Sequence, residues 1–396
     1  MNNSLLQDTR KYLFILLGFS LPLSIAITNI LIVLISFICI VEGDFSEKWN
    51  KICSSKWMIS LLFLLVLYLL YFLIFGVFTD TFWILKRVSL LLILPILYST
   101  TFSVDTIKKS AFAFLSSMFL SSVIAIFANY KIIFIWDKIT QFNYGFNLMY
   151  TDHNVFLAAA LIVSLYSIFR LKLEKFSKTT ILIFIPFYLF SMFTEGGKAG
   201  QIVFIVLLIF LFIYLFRTKI KVLFISFLGV FLFSYLVYNN SEMVKKRFDY
   251  AIKSYKNIQN EKKSSSNTRY VLGNETIKLI KQNPVFGYGT GSFTDIFGPI
   301  NNETEKIVGH KHKTPHNNYL YVWMELGILG LILLLSIFYF QIRELYRLKD
   351  GFPRVLLPLM YLIIMFADSY FFSHNTLILY LFLSVITNIN PFNSSV

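Results

Sequence analysis

Charge is scarce in this chain of 396 residues: Asp, Glu, Lys and Arg together make up 14% of it. A soluble globular domain carries roughly 25%, so most of this sequence cannot form a solvated surface. Strand-like alternation of apolar and polar residues is also missing. The apolar runs are continuous, which excludes a transmembrane β-barrel. Cysteine is limited to Cys39, inside an apolar run, and Cys53, in a short basic loop, so no disulfide framework is implied. There is no internal repeat and no low-complexity tract. Nucleotide-binding signatures are lacking too. Gly287-Tyr-Gly-Thr-Gly291 follows Pro284 and a helical pattern, not a strand, so it reads as a tight turn and not a dinucleotide loop.

What the sequence has is hydrophobicity, 57% of all residues, in runs that reach the ~20 residues needed to cross a hydrocarbon core. The runs predict an all-α polytopic membrane protein with twelve spans, at 12–27, 29–42, 58–78, 83–99, 110–128, 155–171, 179–194, 200–216, 220–238, 319–341, 353–369 and 375–389. Arg10 and Lys11 before an apolar run imitate a secretion signal. Hydrophobicity continues to Val41, however, and reads as two uncleaved spans broken between Pro22 and Asn29.

Lys and Arg recur in alternate short loops (Lys48, Lys51 and Lys56; Lys108 and Lys109; Arg170 to Lys178; Arg217 to Lys221; Arg343 to Arg354), which sets those loops and the N-terminus in the cytoplasm. The net charge of +15 is therefore a matter of topology, and no nucleic-acid partner is expected. Three regions follow: spans one to nine over 1–238, a large outer loop over 239–318, and spans ten to twelve with a cytoplasmic C-terminus over 319–396. Loops of this length tend to carry function. Within it, the spacing of Val244, Phe248, Ile252 and Tyr255 predicts an amphipathic surface helix, and a second helix is predicted from Thr268 to Gln282, stopped by Pro284. A shorter outer segment, 129–154, closes with Asp152-His153-Asn154.

Chemistry concentrates where the large loop re-enters the membrane, at His310-Lys-His-Lys-Thr-Pro-His316-Asn-Asn-Tyr319. Polar groups at that depth are costly and usually functional. His316 is the natural general base, since a neutral imidazole accepts a proton near pH 7; as a residue alone it serves equally well as a helix-start hydrogen-bonding group. His310 and His312 suggest a metal only weakly. Lysines intervene and no acid stands near, so a solvated basic loop is the reading. Arg269, at the start of the predicted loop helix, combines a guanidinium fork with open backbone N–H groups that suit a phosphate, or else is one more solvated charge.

Lys198 lies in the short outer turn Thr194-Glu-Gly-Gly-Lys-Ala-Gly200, at the membrane surface, where it can bind an anion or snorkel. Lys86 and Arg87 start a span on the outer face, against the positive-inside trend, and call for an anionic partner, either lipid headgroups or a lipid-linked pyrophosphate. Glu325, nine residues past His316 and about 13 Å down the helix, must be paired, protonated or wetted, with Asp368 and His374 as candidate partners. Gly327 and Gly330 read as close-packing positions.

Several pieces in order and spacing resemble the bacterial O-antigen ligase family, whose signature domain is shared with O-antigen polymerases. They are Asp152-His-Asn-Val-Phe-Leu-Ala, the Thr194–Gly200 turn, and Arg269 before a helix ending in Asn283-Pro-Val-Phe-Gly-Tyr-Gly-Thr-Gly-Ser-Phe293. The last is Pro315-His-Asn-Asn-Tyr-Leu with Glu325-Leu-Gly. Motifs cover about 150–340 and topology the whole chain. One departure is Lys198, where the family usually has arginine; lysine keeps the charge and loses the bidentate fork.

The resemblance implies a fold like the GT-C-type glycosyltransferases and transfer of a glycan from undecaprenyl pyrophosphate to a hydroxyl of lipid A–core oligosaccharide. The transfer would take place on the periplasmic face of the inner membrane. It implies Arg269 and Lys198, with Lys86 or Arg87, as the pyrophosphate cradle and His316 as base, with His153, Asn317, Tyr319 and Glu325 contacting substrate. With no acidic metal-binding pair in the sequence, the transfer is expected to be inverting, metal-independent and without a cofactor. An O-antigen polymerase uses the same donor and differs in acceptor, and a protein O-glycosyltransferase of similar layout is a third possibility. A lipid-linked oligosaccharide transporter would scatter its charges along the spans, whereas here they gather at one face.

Overall fold

The computed structural model describes residues 3–129, 148–170, 174–218, 268–298, 312–348 and 351–388, together with isolated positions between 219 and 267. Among the described residues every regular element is helical. The expected span 220–238, the amphipathic helix near Val244–Tyr255, most of the 129–154 segment and His310 lie outside them.

Ten helices precede the large loop among the described residues. They are α1 (Asn3–Ser20), α2 (Ile25–Val41), α3 (Phe45–Ser54), α4 (Lys56–Phe75), α5 (Thr81–Ser89), α6 (Ile93–Ser99), α7 (Val104–Asn129), α8 (Tyr150–Arg170), α9 (Lys175–Thr194) and α10 (Lys198–Phe216). A 3-10 turn, Leu90–Leu92, joins α5 to α6. The loop holds α11 (Thr268–Gln282) and α12 (Phe293–Ile296), and α13 (Asn318–Tyr346), α14 (Gly351–Ala367) and α15 (His374–Asn388) follow. The protein is a polytopic membrane protein. Among the described residues, seven helices, or runs of helix, are long and apolar enough to cross a bilayer, and an eighth span arises if α2 and α3, bent by 113°, count as one. The other expected spans in the described residues fall on helices that are shorter or less apolar.

The first break falls at the Pro22 end of the expected stretch. It comes at residues 21–24, earlier than Asn29, because Pro22 has no N–H to extend α1 and Ser24 caps α2 by accepting from the Ile27 amide at 3.3 Å.

By internal contacts the chain divides into two compact units. The first comprises Met1–Val66, Lys86–Leu207 and Leu333–Val396. Its core is aromatic: Phe14 stacks on Phe102 at 4.3 Å between centroids, and Phe382 joins Phe14 at 5.4 Å and Phe114 at 5.9 Å. Small residues let α1 and α7 approach closely. A side chain at Gly18 would strike the Ser110 carbonyl, and the Ser117 hydroxyl bonds back into its own helix at 3.0 Å. Buried polar side chains satisfy one another, as where Tyr380 donates to Gln341 at 2.8 Å and Gln341 to Ser384 at 3.2 Å.

The second unit comprises Leu67–Leu85 and Leu208–Ile332. It contains the large loop, and its core sets Phe293 against Phe297 at 4.9 Å and Tyr321 at 5.9 Å.

Candidate functional site

In the second unit, α11 buries Leu272, Thr276 and Ile280, spaced by four, and leaves Arg269 exposed in its first turn. The helix has the bounds predicted from Pro284. There the chain enters the glycine turn, in which Gly287, Gly289 and Gly291 all adopt positive φ (69°, 107° and 78°). L-residues resist that region.

This turn plugs a break in α13. Gly327 has φ 65° and ψ −166°, so the helix ladder is interrupted. The carbonyl of Met324 accepts from the Tyr288 amide at 3.0 Å and that of Glu325 from Gly289 at 2.9 Å. On the other side the Ile328 amide turns to Pro284 at 3.1 Å. Gly327 is thus a helix break, where close packing was expected. Glu325, completely buried, accepts from the Gly291 amide at 3.0 Å. Its partners are the turn backbone and, electrostatically, Tyr321, whereas Asp368 and His374 lie in the first unit.

Ahead of α13 the backbone turns sharply at His316, whose φ of 54° is left-handed. A non-glycine residue rarely sits there without a reason. Its Nε2 lies 3.2 Å from Nδ1 of His312, with the rings edge-on. His312 is buried, at 7% exposure, and so is not part of a solvated loop. Asn317 caps α13: its Oδ1 accepts from the amides of Tyr319 at 3.0 Å and Leu320 at 3.1 Å. Lys313 forms an ion pair with Asp80 at 2.9 Å and lies over the Trp83 ring at 5.8 Å. Asp80 also accepts from Thr294, while Asp295 takes the Thr79 amide at 2.7 Å and Thr81 donates to the Thr290 carbonyl at 2.9 Å. The 78–81 turn therefore clamps both the glycine turn and the histidine segment.

In the first unit, Lys198 is the exposed first residue of α10. A cation at the positive end of a helix has unfavourable neighbours, and a bound anion would relieve them. Just before it, Glu195 is buried against His153, which is fully buried with ring nitrogens facing Glu195 and Ser121. The structure therefore gives His153 protein partners and no exposed surface. Lys86 is exposed and Arg87 half-buried on α5. The charge of Arg87 acts on Asp152, which accepts from Asn375 at 3.0 Å, and His374 meets Asn29 at 2.9 Å.

The structure thus joins His316 to His312 and Asn317, near Glu325 and Tyr319 in sequence and in the same unit as Arg269. It sets Lys198, Lys86, Arg87 and His153 in the other unit. Sequence reasoning misread one residue and passed over two. His312 was masked by flanking lysines. Glu195 was legible only as part of the Lys198 turn. Asp80, after Gly76-Val-Phe-Thr, answers Lys313 of the basic segment from 233 residues away in sequence, with no motif to announce it.

Residues 181–335 match the family model described as O-antigen ligase. The chain is also similar to an O-antigen ligase of Salmonella typhimurium strain LT2, 35% identical over 89 residues, which is 20% of this chain and 21% of that protein. The chain thus matches about a fifth of the length of that relative. The two findings support the O-antigen ligase family.

Proposed function

We propose that this chain, whose residues 181–335 match the O-antigen ligase family model, transfers a glycan from undecaprenyl pyrophosphate to a hydroxyl of lipid A–core oligosaccharide at the periplasmic face of the bacterial inner membrane. The observation that carries the reading is the His312–His316 pair at the mouth of α13, 3.2 Å apart. Twelve spans, with the 239–318 loop outside, are part of the same proposal.

The acceptor oxygen attacks the anomeric carbon, and the bond from that carbon to the pyrophosphate oxygen breaks with its electrons going to the pyrophosphate. One displacement inverts the configuration. His316 takes the hydroxyl proton. If it does so at Nδ1, its Nε2–H donates to His312 Nδ1, which fixes the tautomer and spreads the new charge. Arg269, and Lys198 at the start of α10, neutralise charge growing on the leaving pyrophosphate. Lys86 and Arg87 add positive potential, and Tyr319 and Asn317 shape the mouth of the site. The sequence has no paired carboxylates beside His316, so the mechanism uses no metal.

The test is His316→Asn in purified protein with lipid-linked donor and lipid A–core. Asparagine tolerates the left-handed backbone that alanine would strain, so a loss of transfer reports chemistry. Near wild-type turnover would refute the base assignment. A deletion strain separates the two family activities: lipid-linked polymer with bare core means ligase, and a core with a single repeat unit means polymerase.

A further inference from the structure

The turn that presents Lys198 is held by a buried polar cluster that the transfer chemistry above leaves unused. Glu195 is 3% exposed at the end of α9, with its carboxylate oxygens both 2.9 Å from Nδ1 of His153 on α8. The same carboxylate accepts from the Asn154 amide at 3.2 Å and the Ser191 hydroxyl at 2.5 Å. The other face of His153 meets the Ser121 hydroxyl on α7 at 3.0 Å. Gln201 donates to the carbonyls of Met192 at 2.7 Å and Glu195 at 3.2 Å, tying α10 to the end of α9. A side chain at Gly197 or Gly200 would collide with Asn154.

Buried ionisable groups are a costly way to hold helices together, and apolar packing usually does as well or better. What this cluster adds is direction. It holds the backbone of residues 195–201, on which Lys198, three residues after Glu195, is exposed.

We propose that His153 and Glu195 are positioning residues that aim Lys198 at the diphosphate of a lipid-linked donor. The inference rests on the reading of Lys198 as a diphosphate contact. His153 then acts through Lys198 and does not touch substrate.

A double-mutant cycle tests it, using transfer by the purified full chain with lipid-linked donor and lipid A–core, normalised to folded protein and scored against melting temperature. His153→Gln and Glu195→Gln are each expected to lower activity about 10- to 100-fold, as a misplaced binding group does, mainly through a higher KM for the donor. Ser191→Ala, which removes one contact and keeps the fold, is expected to fall between these and wild type. In the Lys198→Ala background none of the three should cause a further loss. If their losses instead multiply with a damaging Lys198→Ala, or if His153→Gln and Glu195→Gln fold and work normally, the positioning role is overturned and Lys198 stands. Unchanged activity in Lys198→Ala overturns both.

Discussion

Replacing Gly327 by alanine isolates the break in α13. A residue with a Cβ at φ 65° meets the left-handed penalty, about 1–2 kcal/mol. The added Cβ would also point into the carbonyl of Val285, which is backbone and cannot swing aside. Relief requires the loop to retreat, weakening the bonds from Tyr288 to Met324, Gly289 to Glu325 and Ile328 to Pro284. At about 0.5–1.5 kcal/mol each, these three bonds bring the total to roughly 2.5–6.5 kcal/mol, a large share of the ~5–15 kcal/mol of a typical fold.

Gly273 provides the opposite control. It lies inside α11, and a Cβ there would make an ordinary contact with Leu320 at 3.7 Å. Gly273→Ala should therefore stabilise by about 0.5–1 kcal/mol. Melting of both variants in detergent, followed by tryptophan fluorescence, should move in opposite directions, downward by about 5 °C or more for Gly327→Ala. A Gly327→Ala protein that melts with wild type would refute the account of the break.

Lys198→Ala should cost about 10- to 150-fold in transfer, the loss of one charge-assisted contact, whereas Lys198→Arg should retain substantial activity because it keeps the charge. Arg269→Lys should be less forgiving; equal tolerance of both exchanges would argue against a bidentate role for Arg269. Transfer should survive exhaustive chelation, and activity lost in EDTA and restored by one divalent ion would overturn the metal-free mechanism. At the Lys313–Asp80 pair the two partners should differ. Lys313 is 59% exposed, and Lys313→Ala should shift stability by less than about 1 kcal/mol. Asp80→Ala strands Thr294 and should cost about 1–3 kcal/mol; equal melting temperatures would contradict this.

Much of the framework was legible because it rests on local physics. Pro284 stops α11 whatever surrounds it, and the run of three glycines in five residues announces a turn. The approximate spans follow from hydropathy. The rest depends on partners distant in sequence. Nothing near Gly327 shows that an amide forty residues earlier will take its helix carbonyls, so Leu-Gly-Ile-Leu-Gly reads as packing. His312 looks solvated because both neighbours are lysines, yet Lys313 is turned to Asp80 and the imidazole inward to His316. Glu195 and His153 are 42 residues apart, on helices whose pairing no short motif encodes.

The plugged break in α13 has a consequence for biogenesis. A span whose carbonyls are all satisfied within its own ladder can enter the membrane as it leaves the ribosome, independently of its neighbours. The broken form of α13 cannot, because once the ladder is interrupted at Gly327 the Met324 and Glu325 carbonyls need the amides of Tyr288 and Gly289, and a bare carbonyl in an apolar setting costs several kcal/mol. Those amides belong to a segment made earlier in the chain. Final seating of this span must therefore follow folding of the segment around Pro284 to Gly291. Until then α13 can lie unbroken and in another register, with His316 displaced. Assembly order, and not sequence alone, would decide when His316 reaches its place beside His312.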